Sequence, residues 1–210
     1  MGIEERRERE RDEIRAKILD AARELFAKEG YGAVTMRRIA EKIEYSPTAI
    51  YGHFADKDAL IHELAARDFL ELAHQFARLA KINDPIERFT KIGPVYVEFG
   101  LAHPNHYQLM FMTPRPISGA AADRIFNGDP AQDAYAFLKH TAAEAIASGR
   151  LRSEYKDPEL LAQAAWASVH GVVSLHIAKR NDAWIDWRPP RRVARMLAEA
   201  LFRGLLAEPN

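Results

Sequence analysis

Four times in this chain a residue able to cap a helix stands directly before a proline: Ser46-Pro47, Asp84-Pro85, Asp129-Pro130 and Asp157-Pro158. The cap oxygen accepts a hydrogen bond from an orphan amide of the first helical turn. Proline at the first helical position gives up an amide that had no partner there. Glu87 and Gln132 stand three residues after their aspartates, as a capping box requires. Between these starts the apolar residues recur with helical period, and no alternating run is long enough for a strand. The pattern predicts an all-α chain of about nine helices, near 10–28, 36–43, 47–53, 57–81, 85–102, 105–112, 130–149, 158–180 and 190–206. Gly30 ends the first, and Thr35, Ser46 and Asp56 cap the next three. Residues 113–129 read as a connecting loop with a short helical turn around 119–126.

At 210 residues, 48% of them apolar, the chain is long enough for one large domain or two small ones. No run approaches the eighteen or more apolar residues of a membrane span. The first residues, MGIEERRERERDEI, carry neither the apolar core of a secretory signal nor a myristoylation pattern. The absence of cysteine excludes disulfides, thiol catalysis and cysteine-ligated zinc. A cytoplasmic location is the expectation. Thirty Lys and Arg balance thirty Asp and Glu, so a non-specific polyanion binder is not indicated. Residues 1–58 are no more basic, with twelve Lys/Arg against thirteen Asp/Glu. Any nucleic-acid contact must come from local geometry.

That geometry is present near the N-terminus. Two short helices, 36–43 and 47–53, joined by about three residues beneath a longer one, form a helix-turn-helix arrangement. Ile39, Ala40, Ile43, Ile50 and Phe54 fall on the buried side. The outward side of the third helix then carries Thr48, Ala49, Tyr51 and His53, with Pro47 at its tip. In this motif the start of the second of the two helices reaches base edges in the major groove. The arm ERRERERDEIR has basic residues that could follow a duplex, but its alternating signs more simply make a solvated extension of the first helix.

The stretch ILDAARELFAKEGYGAVTMRRIAEKIEYSPTAIYGHFADKDAL, residues 18–60, resembles the DNA-binding domain of the TetR family of transcriptional regulators. The elements AA..LF...GY.A.TMR.IA and S...IY.HF..K..L occur in order and at the right spacing. The resemblance implies an all-helical homodimer, with a helix-turn-helix domain over 10–58 and a larger helical ligand-binding and dimerisation domain over 59–208. Its implied partners are double-stranded operator DNA and a small, largely apolar effector; no cofactor, metal, enzymatic activity or membrane is implied. Carried over position by position, Thr35 and Arg37 at the start of the second helix meet phosphate. Thr48 and Ala49 face bases, with Pro47 at the helix tip also in the DNA-binding set, and Tyr51, His53 and Lys57 clamp the backbone. One position departs from the family pattern. Where a glycine is usual in the turn, this chain has Glu44 followed by Tyr45. Either Glu44 takes a left-handed backbone, at a cost of roughly 1 kcal/mol or more, or the second helix ends differently.

The rest of the chain carries weaker signals. The run VYVEFGLAHPNHYQLMF (95–111) and the neighbourhood of Phe69, Phe76, Phe89 and Phe137 are rich in residues that build either a core or an apolar pocket. With the family resemblance, Phe89, Tyr96, Phe99, Tyr107, Met110, Phe111, Phe137, Trp166 and His170 become candidate pocket residues. WASVHGVVSLH (166–176) resembles a subgroup with a Trp-x-x-x-His-Gly signature in the C-terminal domain. His170 reads as ligand contact or buried hydrogen-bonding group. Gly171, costly within a helix, implies close approach of another backbone, from a partner subunit or from the same core. Apolar stripes on the last two helices, Val169, Val173 and Ile177 on one and Val193, Met196, Leu197 and Ala200 on the other, make a candidate dimer interface.

Two rivals are weaker. His103 and His106 have a ligand-like spacing, but Pro104 lies between them and no zinc motif, phosphate loop or nucleophile elbow accompanies them. A helical adaptor that has lost DNA binding rests only on the neutral N-terminal charge and on Glu44.

Overall fold

The computed structural model describes residues 2–112 and 120–207. Among the described residues ten α-helices follow one another: α1 Ile3–Ala33, α2 Met36–Lys42, α3 Pro47–Tyr51, α4 Lys57–Ala77, α5 Pro85–Ala102, α6 Pro104–Tyr107, α7 Ala120–Ile125, α8 Ala134–Ala147, α9 Pro158–Lys179 and α10 Pro190–Leu205. A 3₁₀ turn extends α4 over Arg78–Lys81, and a π-helical turn follows α6 over Gln108–Met112. No strand occurs among the described residues; an isolated antiparallel bridge joins Leu151 to Leu206. The all-α expectation holds, with ten helices in place of about nine. Of the predicted connecting stretch 113–129, residues 113–119 lie outside the described residues.

Three of the four cap–proline pairs start helices. The Ser46 hydroxyl accepts from Ala49 N (3.2 Å), Asp84 from Ile86 N (2.9 Å) and Asp157 from Glu159 N (2.9 Å). Asp129 does not. Its carboxylate accepts from Ala131 N (2.9 Å) and closes a turn, and α8 begins four residues later under Asp133, which accepts from Tyr135 N and Ala136 N. The helix predicted over 130–149 is therefore 134–147. At the other end of the chain α1 begins at Ile3, well before the expected residue 10, and a non-helical Gly30 (φ 77°) breaks it where the sequence placed its end.

The contacts divide the chain into two compact units, Met1–Asp68 with Asn105–Ala121, and Phe69–Pro104 with Ala122–Asn210. In place of one break at residue 58, the division falls inside α4, and the segment after Pro104 joins the N-terminal unit. The core of that unit is built from Ile18, Leu19, Ala22, Leu25 and Phe26 of α1, Ile39 and Ala40 of α2, Ile50 of α3, Phe54, and Leu60 and Leu64 of α4. Leu109, from the π-helical turn, is part of the same core. Asp68, only 2% exposed, accepts from Nη2 of Arg23 (2.6 Å) and lies 3.0 Å from Nδ1 of His106.

In the second unit α9 packs against α5, α8 and α10, and α5 against α8 and α10. Close approach of helices occurs at Gly93, where a Cβ would lie 3.2 Å from Val169, and not at Gly171, where an added Cβ would meet no atom of another element within 4 Å. Of the two origins considered for the Gly171 signal, the same core is thereby removed. α9 is long and apolar enough by composition alone to cross a membrane, a property that helices packed in soluble proteins share.

Candidate nucleic-acid interface

The helix-turn-helix is set by its turn. Glu44 takes φ 61°, so that Tyr45 N reaches back to the carbonyl of Ala40 (3.0 Å) and closes α2 in the manner of a left-handed C-cap. The two alternatives for this position resolve in favour of the strained backbone. Replacing Glu44 by glycine, which carries no Cβ penalty there, is expected to stabilise the chain by roughly 0.5–1 kcal/mol. A urea midpoint that fails to rise would count against strain at this residue.

With the turn fixed, α3 presents Pro47, Thr48 and Tyr51 to solvent, Tyr51 at 54% exposure, while Ala49 is half-buried. Ile50 and Phe54 anchor the helix beneath. Thr35 is exposed, its hydroxyl capping α2 by accepting from Arg38 N (3.1 Å). Arg37 is exposed and paired with Glu41 one turn on (3.1 Å). The other two cations of α2 are also paired, Arg38 with Glu29 (3.4 Å) and Lys42 with Glu24 (2.7 Å). α3 contains no cation.

Two expected backbone clamps are placed differently from the sequence reading. The Lys57 ammonium does not face outward. It donates to the carbonyls of Tyr31 and Val34, both at 2.8 Å, and lies 3.9 Å from the Tyr31 ring centroid. Tyr31 is itself held by a hydrogen bond to Asp58. Lys57 thus closes the chain reversal after Gly30. Lys57→Met is expected to cost about 2 kcal/mol of stability, because charged hydrogen bonds to carbonyls are lost, while leaving the salt dependence of any DNA binding unchanged. Denaturant melts and salt titrations of the variant separate the two roles.

The second is His53, half-buried, with Nδ1 buried and without a hydrogen-bond partner. Burial first, and the positive charges of Arg11 and Arg15 next, hold its imidazole below the ordinary histidine value. It is neutral near pH 7 and offers no cationic clamp. Arg15 is built into the same corner: Nη1 donates to the His53 carbonyl (3.0 Å), the guanidinium lies 4.2 Å from the Phe54 ring centroid, and Glu63 is 3.6 Å away.

The candidate pocket residues divide between the two units. Tyr107, Met110 and Phe111 belong to the N-terminal unit, with Tyr107 fully buried and its ring 4.9 Å from Phe111. Phe89, Tyr96, Phe99 and Phe137 are core residues of the second unit. There the indole N–H of Trp166 donates to the Tyr96 hydroxyl (3.0 Å), which shares a hydrogen bond with Nδ1 of His170 (3.0 Å). Burial holds His170 below the ordinary histidine value. Tyr135 packs on Trp166 with centroids 5.9 Å apart. Of the rival metal pair, His106 is the Asp68 partner already described, and no group of metal-ligating side chains occurs among the described residues.

The dimer stripe needs correction. Val169 and Val173 are buried inside the protomer at 7% and 0% exposure and cannot meet a partner, while Ile177, Val193 and Leu197 are half-buried. Met196 (61%) and Ala200 remain exposed. The outward face of α9 is a different stripe: Leu160, Ala164, Ala167, Gly171, Leu175 and Ala178. At 3.6 residues per turn they fall within an arc of about 80°. Leu160 and Leu175 are 63% and 56% exposed. Sequence periodicity missed this stripe because both sides of α9 are apolar.

Residues 18–64 match the family described as bacterial regulatory proteins, tetR family, and residues 89–201 match a family described as tetracyclin repressor-like, C-terminal domain. The second match alone spans more than half of the chain. Among curated proteins the chain is similar to the HTH-type transcriptional regulator UidR of Escherichia coli strain K12, 37% identical over 73 residues, 35% of this chain and 34% of that one. It is also similar to the HTH-type transcriptional repressor AcnR of Corynebacterium diphtheriae, 41% identical over 63 residues, 30% of this chain and 33% of that one. The matches span about a third of the length of these relatives. Among solved structures, the fatty acid degradation regulator FadR from Bacillus halodurans has the same fold, with TM-score 0.73 at 16% identity over 90% of this chain and 95% of that one.

Proposed function

The chain belongs to the tetR family of bacterial regulatory proteins, and on that premise we propose that it is a sequence-specific DNA-binding transcriptional repressor. It acts as a homodimer and leaves its operator when a small, largely apolar effector binds the second unit. The observation that carries the reading is the helix-turn-helix itself. A Ser46-capped helix is anchored by Ile50 and Phe54 and presents Pro47, Thr48 and Tyr51 outward, within the stretch matched over 18–64. A recognition helix of this kind reads base edges with its N-terminal residues. A dimer brings two such helices to half-sites about one helical turn apart.

The effector reading rests on the second unit's interior. Its aromatic residues surround few polar groups, and three of those, Tyr96, Trp166 and His170, converge on one another. Apolar walls with a few convergent polar groups are how small-molecule sites are lined. The name of FadR, a fatty acid degradation regulator, agrees with an apolar class of effector. The dimer reading rests on the outward stripe of α9 with Met196 and Ala200 of α10.

Selection of duplexes from a randomised pool by the full-length chain, followed by mobility shifts of the enriched sequence across salt, tests the proposal. Enrichment of a two-fold symmetric sequence bound with a log-linear salt slope is the expected result. A pool that stays random over repeated rounds would overturn it.

A further inference from the structure

The helix-turn-helix offers no unpaired cation among the described residues. Arg37, Arg38 and Lys42 are each paired with a carboxylate of the same chain, α3 has none, and Lys57 is engaged by two carbonyls. Yet phosphate neutralisation by Lys and Arg supplies a large share of the affinity of proteins for duplex DNA. The exposed pairs of α2 are weak and can open to phosphate, but cations with no carboxylate to give up stand elsewhere in the N-terminal unit.

The extension of α1 supplies them. At 100° per residue Arg7, Arg11, Ile14 and Ile18 fall within an arc of about 60°. Ile18 is fully buried and Ile14 packs against the same core, so this is the face that α1 turns toward the helix-turn-helix. Arg11 and Arg7 prolong it past the last packed residue into solvent, where both are exposed. Between residues 4 and 18 no carboxylate falls in the arc, and neither arginine has an ion-pair partner among the described residues. Glu10 is paired with Arg6 (3.5 Å) on another side of the helix, and Glu5 holds Gly2 N (3.0 Å). Register fixes where the row begins. Arg15, whose guanidinium donates to the His53 carbonyl just beyond α3, marks the end of the recognition helix. Arg11 and Arg7 follow at steps of about 6 Å along the axis. The depressed basicity of His53, to which Arg11 contributes, agrees with that proximity.

We propose that Arg7 and Arg11 of the α1 extension bind duplex phosphates beside the site read by α3, supplying unpaired cationic contacts that α2 and α3 do not offer. This inference rests on the DNA-binding reading above. Glu4 and Glu10 flank the row, about 20° and 40° outside its arc, while the other acidic residues of the arm lie farther round the helix; together they offset the arm's basic residues, so non-specific duplex is held weakly.

The test uses the full-length chain and a labelled duplex that the unaltered protein has enriched from a randomised pool, titrated between low and moderate salt. R7A/R11A is expected to weaken binding about tenfold or more and to lower the log–log salt slope by about 2, while R7K/R11K keeps the slope. Circular dichroism and the melting temperature should be unchanged, since both residues are exposed. Unchanged affinity and slope in R7A/R11A would overturn this inference and leave the repressor reading standing. Failure of the unaltered chain to enrich any sequence would overturn that reading instead.

Discussion

Replacing Asp68 by alanine is expected to destabilise the N-terminal unit by about 3 kcal/mol or more, the cost of breaking a buried ion pair from one side. Asp68 is 2% exposed, and its Oδ1 serves both Arg23 of α1 and His106 of α6. The Arg23 side chain is only 16% exposed, and its Nε is buried without a partner. Once Asp68 is gone, the guanidinium keeps only Asp20, a solvent-exposed carboxylate 3.5 Å away, which screening makes a weak substitute. The network is already incomplete, because Asp68 Oδ2 is buried and unpartnered as well. A half-satisfied buried network contributes less than apolar packing of the same shape. Arg23→Met/Asp68→Leu should therefore recover most of the stability lost in Asp68→Ala. Urea unfolding, with hydrogen exchange of α1 amides to localise the loss, measures both. A single variant within 1 kcal/mol of the parent would show that the pair is not desolvated in solution.

The second large effect is expected at Gly171, where two consequences of one substitution have opposite signs. Nothing in the protomer lies within 4 Å of a Cβ at this position. Gly171→Leu should therefore improve the helix propensity of α9 by about 1 kcal/mol in an isolated chain. If two copies of α9 meet along Leu160, Ala164, Ala167, Gly171 and Leu175, the small residues are where their backbones come closest. A leucine at that point then separates them. The expected result is a monomer by sedimentation at concentrations where the parent is a dimer, with unfolding no easier than before. Affinity for a two-fold symmetric duplex should fall at least a hundredfold, since one half-site supplies only part of the contact. Leu175→Arg, which places a charge in the same stripe, should give the same mass. A dimer that survives both substitutions would place the interface elsewhere.

Much of the fold was legible because its signals are local. A cap and a proline lie side by side in sequence, and three such pairs start helices where they stand. Asp129-Pro130 shows the limit of that reading. Asp133, four residues on, is an equally good cap, and only the packing of Phe137 and Leu138 into the core decides between them. Glu44 was legible as an anomaly, since its side chain stands where the turn requires a positive φ. Lys57 was not, because its partners are carbonyls 26 and 23 residues earlier, brought near by the break at Gly30. Val169 and Val173 were assigned to the wrong side of α9 for a different reason. A helix apolar all round has no pattern that says which face its own chain will cover. Arg7 and Arg11 were read as part of a solvated extension because alternating charge hides a single-sign row that appears only when the helix is wound.

Leu109 and His106 carry one more consequence, which concerns transplantation. The first sixty-eight residues hold the complete helix-turn-helix, yet the hydrophobic cluster beneath it is finished by a leucine from forty residues further along, and its buried carboxylate by a histidine from the same place. A chain cut after α4 would leave a hole under α1 and an under-solvated Asp68. The reading head of this protein is consequently not a portable cassette. A chimaera that joins it to a foreign effector domain must import a graft equivalent to residues 105–112, or redesign the surface that those residues cover.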